Sequence, residues 1–243
     1  VLNTDIPEFF DLQECLNGQE VISYGKNATD IQLISATPKP SGQHLVLKVY
    51  GETFEIDFPH AGYFQVENAM CALGIVIACG FNAKAAVPLL EKLEGVPGRL
   101  EHISHNIFVD YAHTPDALET AIHALRPHCD AKMRVVFGCG GNRDKGKRAE
   151  MGKIACQHGD VVYVTDDNPR NEDPKAIRAE IMNACQNAIE IGDRKDCIKR
   201  AINDMEKGDL LLIAGKGHEN YQIIGEAKIH FDDREIVHEV CHG

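Results

Sequence analysis

Two polar loops, each directly after an apolar stretch, hold the residues best suited to binding a small charged molecule. The first follows Met133–Phe137 and reads Gly-Cys-Gly-Gly-Asn-Arg; the second follows residues 161–165 and reads Asp-Asp-Asn-Pro-Arg. Because ligands of an open parallel sheet bind beyond the carboxyl ends of its strands, both loops can face one pocket. The second loop offers an anion, an amide, a rigid backbone and a cation: Asp167, Asn168, Pro169 and Arg170. This set suits a ligand with both ammonium and carboxylate groups, such as a free amino acid.

The glycine-rich loop resembles two nucleotide-binding motifs and completes neither. Residues 141–148 nearly match the phosphate-binding pattern G-x-x-x-x-G-K-[ST], but Arg148 has no hydroxyl for Mg²⁺. The dinucleotide pattern G-x-G-x-x-G fails because Arg143 occupies the third glycine position. An arginine at the tip of such a turn is a good carboxylate clamp, so Arg143 is a candidate ligand residue. A merely solvated basic loop remains the alternative.

Two further loops follow predicted strands and could face the same pocket. Gly215 permits close backbone approach and Glu219 could bind an ammonium, in the stretch Gly-Lys-Gly-His-Glu. Asp110 and His113 end another strand, where a phosphate or Mg²⁺ contact is plausible and helix capping is the alternative. The Asp-Asn-Pro-Arg segment could likewise be an ordinary turn before a helix.

Two histidine pairs have spacings that metal sites use. They are His102 with His105, and His238 with His242. Neither pair has a convincing third ligand nearby in sequence, whereas a zinc site needs at least three protein ligands. We therefore expect no metal site within this chain.

Composition limits the classes of function. The 243 residues are 44% hydrophobic and carry a formal charge of −12, which argues against a general nucleic-acid or membrane-surface binder. No apolar run approaches the roughly 20 residues that span a bilayer, and the first residues lack a signal-like pattern. The nine cysteines include no Cys-x-x-Cys motif, so we expect reduced thiols and a cytoplasmic protein.

Hydrophobic periodicity divides the chain into two parts, with a boundary between residues 97 and 98 in a compact linker. Residues 21–58 alternate as antiparallel strands, and helices are predicted at 66–79 and 83–93. After the linker, strands and helices alternate, which predicts an α/β fold with a mainly parallel, doubly wound sheet. The strands are expected at residues 106–111, Met133–Phe137, 161–165, 189–191 and Leu210–Ala214. The helices are expected at residues 114–125, 147–157, 174–186, 193–206 and 232–241, with a hairpin at 221–231.

Four segments together resemble a known family. In order they read DYAHTPDALETA, FGCGGNRDKGKR, TDDNPRNEDP and AGKGHENYQ. In sequence and spacing they are similar to the Mur ligases of peptidoglycan synthesis, and among these to the type that adds meso-2,6-diaminopimelate. The resemblance implies that residues 1–97 are the distal part of a central ATP-binding domain. It also implies that residues 98–243 are a Rossmann-like domain that binds the amino acid.

The resemblance implies ATP and Mg²⁺ as cofactors, but it also implies that their principal ligands lie elsewhere. The family's Walker A loop, and a lysine that helps hold Mg²⁺, would precede Val1. We therefore expect this chain alone to be inactive as a ligase and to contain no metal ligand. The expected partners are a UDP-N-acetylmuramoyl dipeptide and meso-2,6-diaminopimelate, with no nucleic acid and no membrane insertion.

The resemblance also assigns roles to individual positions. The residues implied to bind diaminopimelate are Arg143, Asp167, Asn168, Pro169, Arg170, Gly215 and Glu219. Those implied to lie at the nucleotide are Asn68, Arg99, Asp110 and His113, with Asp110 and His113 as the catalytic candidates. Gln65 stands where the family has an asparagine, which is a departure from the pattern.

Three alternatives stay open at this point. A ligase like folylpolyglutamate synthase shares the general plan, although the Asp-Asn-Pro-Arg and Gly-Lys-Gly-His-Glu segments argue against it. A stand-alone amino-acid-binding module would keep the loops and lack ATPase activity. An oxidoreductase on a Rossmann-like fold is opposed by the missing third glycine.

Overall fold

A computed structural model describes all 243 residues, which form two compact units: Val1–Glu94 and Gly95–Gly243. The boundary predicted from sequence, between residues 97 and 98, lies three residues further along the chain. Each unit has its own sheet. None of the helices is long and apolar enough to cross a bilayer.

The first unit is a five-stranded sheet covered by a long helix. Its elements are β1 (Leu2–Asn3), α1 (Phe9–Glu14), β2 (Ser23–Gly25), β3 (Ile31–Lys39), β4 (Gly42–Val49), β5 (Glu52–Phe58), α2 (Tyr63–Ala78) and α3 (Ala83–Ala86). The strands lie in the order β1-β2-β3-β4-β5. The antiparallel prediction is confirmed for β3, β4 and β5 but is wrong for β2, which pairs in parallel with both neighbours.

Alternating apolar residues of these strands form the core of the first unit. Leu45, Leu47 and Val49 alternate along β4 and are buried with Val66 and Met70 of α2. The helix predicted over residues 83–93 is shorter than expected. After α3 the chain tightens into a 3₁₀ turn over Val87–Lys92, because Pro88 has no N–H to continue the α-helical hydrogen bonds.

The second unit is a six-stranded sheet in which a helix separates each pair of successive strands except the first pair. Its strands are β6 (Glu101–Ser104), β7 (Ile107–Asp110), β8 (Met133–Phe137), β9 (Val161–Val164), β10 (Ile189–Glu190) and β11 (Leu210–Ala214), followed by the hairpin β12 (Tyr221–Ile224) and β13 (Ala227–His230). Its helices are α4 (Pro115–Leu125), α5 (Gly146–His158), α6 (Pro174–Met182), α7 (Arg194–Asn203) and α8 (Asp233–His242).

The sheet has the order β10-β9-β8-β11-β7-β6, and every pair is parallel except β6 with β7. The predicted α/β class and mainly parallel sheet are therefore confirmed. The chain moves from β8 to one side, through β9 and β10, and returns to place β11 on the other side of β8. Such a reversal opens a crevice between the two strands at their carboxyl ends.

Capping side chains fix where the helices leave this edge of the sheet. Thr114 accepts a hydrogen bond from the Ala117 N–H at 3.3 Å, and Pro115 occupies the first helical position of α4. Asp173, Asp193 and Asp232 cap α6, α7 and α8 in the same manner. The loops before these caps consequently begin and end at defined points.

Candidate functional site

Four loops at the carboxyl ends of β7, β8, β9 and β11 surround a cleft of about 490 Å³. Its lining includes seven of the predicted site residues: His113, Arg143, Asp167, Asn168, Arg170, Gly215 and Glu219. It also includes Tyr111, Thr114, Gly140, Asp144, Lys147 and Tyr221. The strand order thus brings together residues that lie more than 100 positions apart in the chain, as the parallel-sheet argument requires.

The glycines of the first loop allow it to pack directly against the second. A side chain at Gly138 would have its Cβ 2.3 Å from the Thr165 carbonyl oxygen, and one at Gly141 would lie 2.0 Å from that of Pro169. Neither approach is compatible with any residue larger than glycine. The Gly-Cys-Gly-Gly sequence therefore serves the packing of two loops.

Asn168 connects three of the loops. Its side-chain oxygen accepts hydrogen bonds from the Lys216 ammonium and from the Ile223 N–H, both at 3.0 Å. Its amide nitrogen donates to Glu219 Oε2 at 3.1 Å, and its carbonyl accepts from the Gly141 N–H at 2.9 Å. The side chain is 4% exposed, so Asn168 acts mainly by holding Glu219 and Lys216 in position.

Arg170 lies across the first loop with part of its guanidinium still available. Its backbone adopts a φ of 52°, held by hydrogen bonds with Ile223 and Gly225 of the hairpin. Nη1 donates to the Gly141 carbonyl at 2.9 Å, whereas Nε and Nη2 have no hydrogen-bond partner in the protein. That side of the guanidinium can pair with both oxygens of a carboxylate.

Arg143 and Lys147 add two more cations to the cleft. Arg143 is exposed at the tip of the first loop and forms no ion pair. The Lys147 ammonium donates to the His113 carbonyl at 2.7 Å, which joins the start of α5 to the loop after β7. With Arg170 these residues make one part of the cleft wall strongly basic, although the whole chain is acidic.

Lys216, Asp167 and Glu219 form the opposite, buried part of the wall. The Lys216 side chain is fully buried and its ammonium donates to the Tyr221 carbonyl at 2.7 Å. It lies 3.7 Å from Asp167 and 3.8 Å from Glu219. Burial lowers the pKa of Lys216 below its ordinary value, and the Asp167 carboxylate opposes that change. One ammonium therefore faces two carboxylates, which leaves this wall with a net negative charge.

A buried ion pair fixes the end of β11 beneath these groups. Arg194 pairs with Asp233 at 2.8 Å and donates to the Ala214 carbonyl at 3.0 Å, with both charged side chains fully buried. Burial disfavours the charged form of Arg194, but Asp233 outweighs it, so the pKa of Arg194 lies above its ordinary value. The ion pair thus fixes the position at which the loop beginning at Gly215 leaves the strand.

The structure separates the two predicted catalytic residues. Both carboxylate oxygens of Asp110 accept backbone N–H groups at 2.7 Å, from Leu100 and Ala112, and Asp110 does not line the cleft. Burial raises the pKa of Asp110 above its ordinary value, and these hydrogen bonds oppose the rise. His113 is exposed and lines the cleft, with its Nδ1 2.9 Å from the Tyr111 carbonyl oxygen.

The remaining predicted residues lie outside the cleft lining. The guanidinium of Arg99 stacks 5.0 Å from the centre of the Tyr111 ring. Pro169 contributes its backbone, whose carbonyl accepts from the Glu172 N–H at 3.1 Å. Asn68 is exposed and Gln65 half-buried on α2, in the first unit.

Two family models match the chain. The model described as "Mur ligase middle domain" matches residues 1–76, and the one described as "Mur ligase, glutamate ligase domain" matches residues 98–217. The chain belongs to the Mur ligase family. The cleft of this Mur ligase lies within the part that the second model matches, apart from Glu219 and Tyr221.

Individual relatives show which members of the family this chain is similar to. A protein of Caulobacter vibrioides named UDP-N-acetylmuramoyl-L-alanyl-D-glutamate--2,6-diaminopimelate ligase is 45% identical over 240 residues, covering 96% of this chain and 49% of that protein. A protein of Rickettsia montanensis with the same name is 44% identical, covering 100% of this chain and 52% of that protein. This Mur ligase chain therefore spans about half the length of the curated relatives it matches.

Solved structures agree with this placement. A structure of a UDP-N-acetylmuramoyl-L-alanyl-D-glutamate--2,6-diaminopimelate ligase superposes with a TM-score of 0.76 at 34% identity, covering 98% of this chain and 52% of that one. The folylpolyglutamate synthase of Mycobacterium tuberculosis superposes with a TM-score of 0.64 at 21% identity, covering 86% and 50%. The second likeness shows a shared fold and nothing more specific.

Sequence reasoning missed several residues of this Mur ligase cleft. Lys216 stands between two predicted residues, but its burial depends on the hairpin that follows, and no local pattern signals it. Tyr221 lies six positions from Gly215 and reaches the cleft only because the hairpin folds back. Lys147 could have been found, because it lies in the first turn of a helix directly after the glycine-rich loop.

Proposed function

We propose that the chain is part of a cytoplasmic, ATP-dependent ligase that joins meso-2,6-diaminopimelate to the D-glutamate of a UDP-N-acetylmuramoyl dipeptide. The cleft of the second unit binds the amino acid. The names of its relatives support this assignment, and so does the arrangement of charges around the cleft.

One observation carries the proposal: the guanidinium of Arg170 has no protein partner for its Nε and Nη2, and it lies in a cleft that contains both acidic and basic side chains. Diaminopimelate has an ammonium and a carboxylate at each end, whereas lysine lacks the second carboxylate. The Nε and Nη2 side of Arg170 offers two parallel donors to that carboxylate, with Arg143 nearby. On the opposite wall, the carboxylates of Asp167 and Glu219 outnumber the one Lys216 ammonium that they face. Their remaining negative charge suits an ammonium of the ligand.

The reaction has two steps. A carboxylate oxygen of D-glutamate forms a bond to the terminal phosphorus of ATP, and ADP leaves with the electrons of the broken P–O bond. The ammonium of diaminopimelate loses one proton to become an amine, which attacks the acyl carbon and forms the C–N bond. The nitrogen loses a second proton to water as phosphate leaves with the electrons of the C–O bond. This chain contributes by holding the amine in a fixed orientation, which lowers the entropic part of the barrier.

The cleft does not fit a Mg²⁺ site of its own. Magnesium requires several oxygen ligands in octahedral geometry, whereas Asp167 and Glu219 already face the Lys216 ammonium and Asn168. Both oxygens of Asp110 are occupied by backbone N–H groups. We therefore assign Mg²⁺ and most of the ATP contacts to other parts of the ligase. Within this chain, His113 and Arg99 lie at the side of the nucleotide. Asp110 holds the segment that carries Arg99.

Calorimetric titration of the chain with meso-2,6-diaminopimelate and with L-lysine tests the assignment. We expect the chain to prefer diaminopimelate, and Arg170→Ala to abolish the preference by weakening diaminopimelate alone. Loss of such a contact costs about 2–5 kcal/mol, which corresponds to roughly 30-fold or more in affinity.

The matched control is Arg200→Gln, which removes an exposed arginine of α7 that pairs with Asp204 away from the cleft. It should leave both affinities unchanged. Thermal unfolding of each variant checks that the loops still fold. Equal affinity of the unaltered chain for lysine and diaminopimelate would contradict the proposal.

A further inference from the structure

A cluster of metal-binding side chains lies on helices α4 and α5, outside the cleft. Glu119 and His123 belong to α4, and His158 is the last residue of α5. Glu119 Oε1 lies 3.2 Å from His158 Nε2 and 3.8 Å from His123 Nε2. The three ligand atoms all lie within 4.8 Å of one another, and the two imidazole rings meet edge to face with centroids 4.5 Å apart.

The local structure explains why these side chains meet. Glu119 and His123 are four residues apart, so they lie one above the other on the same face of α4. His158 reaches them because α5 packs beside α4. The side chain of Arg126 donates to the His158 carbonyl and pairs with Asp160 at 2.6 Å, which holds the end of α5 and neutralises that nearby cation.

The donor set and spacing match a transition metal better than an ordinary ion pair. Zinc binds imidazole nitrogen and carboxylate oxygen at about 2.0–2.1 Å, so two ligands of a tetrahedral site lie about 3.3 Å apart. The Glu119–His158 distance already has this value. The side chain of His123 is 57% exposed, so solvent surrounds most of it and leaves it room to turn toward the other two.

We propose that Glu119, His123 and His158 bind a divalent transition metal of the zinc class, with water completing the coordination. The site lies at the opposite end of α5 from the cleft, about 18 Å along the helix by its 13 residues. The metal would therefore join α4 to α5 and stabilise the second unit, without contact with the reacting groups. This departs from the expectation, drawn from His102, His105, His238 and His242, that the chain holds no metal.

Those four histidines provide control positions for testing the proposed site. The Nε2 of His102 donates a hydrogen bond to the His105 carbonyl oxygen. His238 and His242 stack with ring centroids 5.8 Å apart, and no third ligand group completes either pair. His238 is exposed, so its replacement removes an imidazole without disturbing the core.

The experiment is a titration of the metal-free chain with Zn²⁺ in competition with a chromogenic chelator. We expect one equivalent to bind with micromolar or tighter affinity and to raise the midpoint of thermal unfolding, because the ion binds only the folded state. His123→Gln and His158→Gln should each weaken binding by at least tenfold, since even the loss of an outer-shell partner costs about 10–100-fold. His238→Gln should leave it unchanged.

Thiols are the main competing ligands, because the chain has nine cysteines. The variants Cys156→Ser and Cys185→Ser each remove one of two thiols that contact each other, Cys156 in α5 and Cys185 in the segment after α6. Both should keep the zinc affinity. Binding that survives His123→Gln and His158→Gln, or that disappears in the serine variants, would overturn the proposal, as would affinity in the millimolar range.

Discussion

At the scale of single residues, the candidate site depends on a buried ammonium that no sequence motif requires. Lys216 is fully buried, and its charge is compensated by Asp167 and Glu219 together with two oxygen acceptors. A buried charge without partners would be strongly unfavourable. Lys216 and its partners therefore define each other's position, so the two carboxylates are already in place for the proposed amino-acid ligand.

Replacing Lys216 with methionine tests this interdependence. Lys216→Met keeps the length of the side chain but leaves Asp167 and Glu219 without their cation. We expect the affinity for meso-2,6-diaminopimelate to fall at least tenfold and the free energy of unfolding to fall by about 3 kcal/mol, the lower end for breaking a buried pair. Calorimetry and urea unfolding measure the two effects. A suitable control is Lys199→Met, because Lys199 is partly exposed and pairs with Glu239 on another helix.

The affinity decides the test, because only the affinity reports how the two carboxylates are held toward the ligand. Unchanged affinity in a folded Lys216→Met protein would show that Lys216 does not organise the site.

At the scale of elements, a buried polar chain sets the register of the central strands. Asp209, just before β11, pairs with Arg134 of β8 at 2.7 Å, and Arg134 donates to the Tyr163 hydroxyl of β9 at 3.0 Å. That hydroxyl donates in turn to Asp204 at 2.9 Å. Burial raises the pKa of Asp209, but hydrogen bonds from the Glu206 N–H and the Arg134 guanidinium outweigh it, so the pKa lies below its ordinary value.

Asp209→Asn should therefore destabilise the protein in a pH-dependent manner. At pH 7 the variant leaves Arg134 buried without its anion, which costs about 3–5 kcal/mol. The pKa of Asp209 is lower in the folded state than in the unfolded state, where it is about 3.9. The carboxylate therefore stabilises the folded protein above that pH, and this stabilisation is lost as the pH falls through the folded-state pKa. Urea unfolding at neutral and acidic pH should show the difference between the two proteins shrink below about pH 4.

The exposed pair of Arg200 with Asp204 provides the comparison at this scale. Arg200→Gln should have no measurable effect at either pH, since exposed pairs contribute little. A constant difference between Asp209→Asn and the unaltered chain across the acidic range would contradict the role given to the carboxylate.

These elements also show how far the sequence alone could lead. Met133–Phe137 and Leu210–Ala214 were predicted with correct ends, because central parallel strands are continuous apolar runs between polar loops. β6 was missed, because an edge strand of four residues with Glu101 and His102 has little apolar signal. Arg170 could be identified from its neighbours, whereas Lys216 depends on the hairpin that encloses it.

At the scale of the whole molecule, the two units differ in what they can do alone. Every residue that lines the cleft belongs to Gly95–Gly243. This unit has a continuous core of its own, and a domain of about 150 residues buries roughly 70% of its unfolded surface, enough for independent folding. The chain also contains no complete G-x-x-x-x-G-K-[ST] sequence, since Arg148 pairs with Glu172 and Glu180 where a hydroxyl residue would be needed.

We therefore expect residues 95–243, expressed alone, to fold and to bind meso-2,6-diaminopimelate with the affinity of the 243-residue chain, while neither protein hydrolyses ATP. The start at Gly95 matters, because Gly98 packs against the backbone of Gly217 and the Leu100 N–H binds Asp110. A shorter version beginning at His102 should lose those contacts, expose a buried carboxylate and bind more weakly. Circular dichroism shows whether each of the three proteins folds, and calorimetry compares their affinities for meso-2,6-diaminopimelate. Equal binding by the shortest version would mean that the segment before β6 does not support the site, and ATP hydrolysis by the 243-residue chain would contradict the division of roles proposed for the ligase.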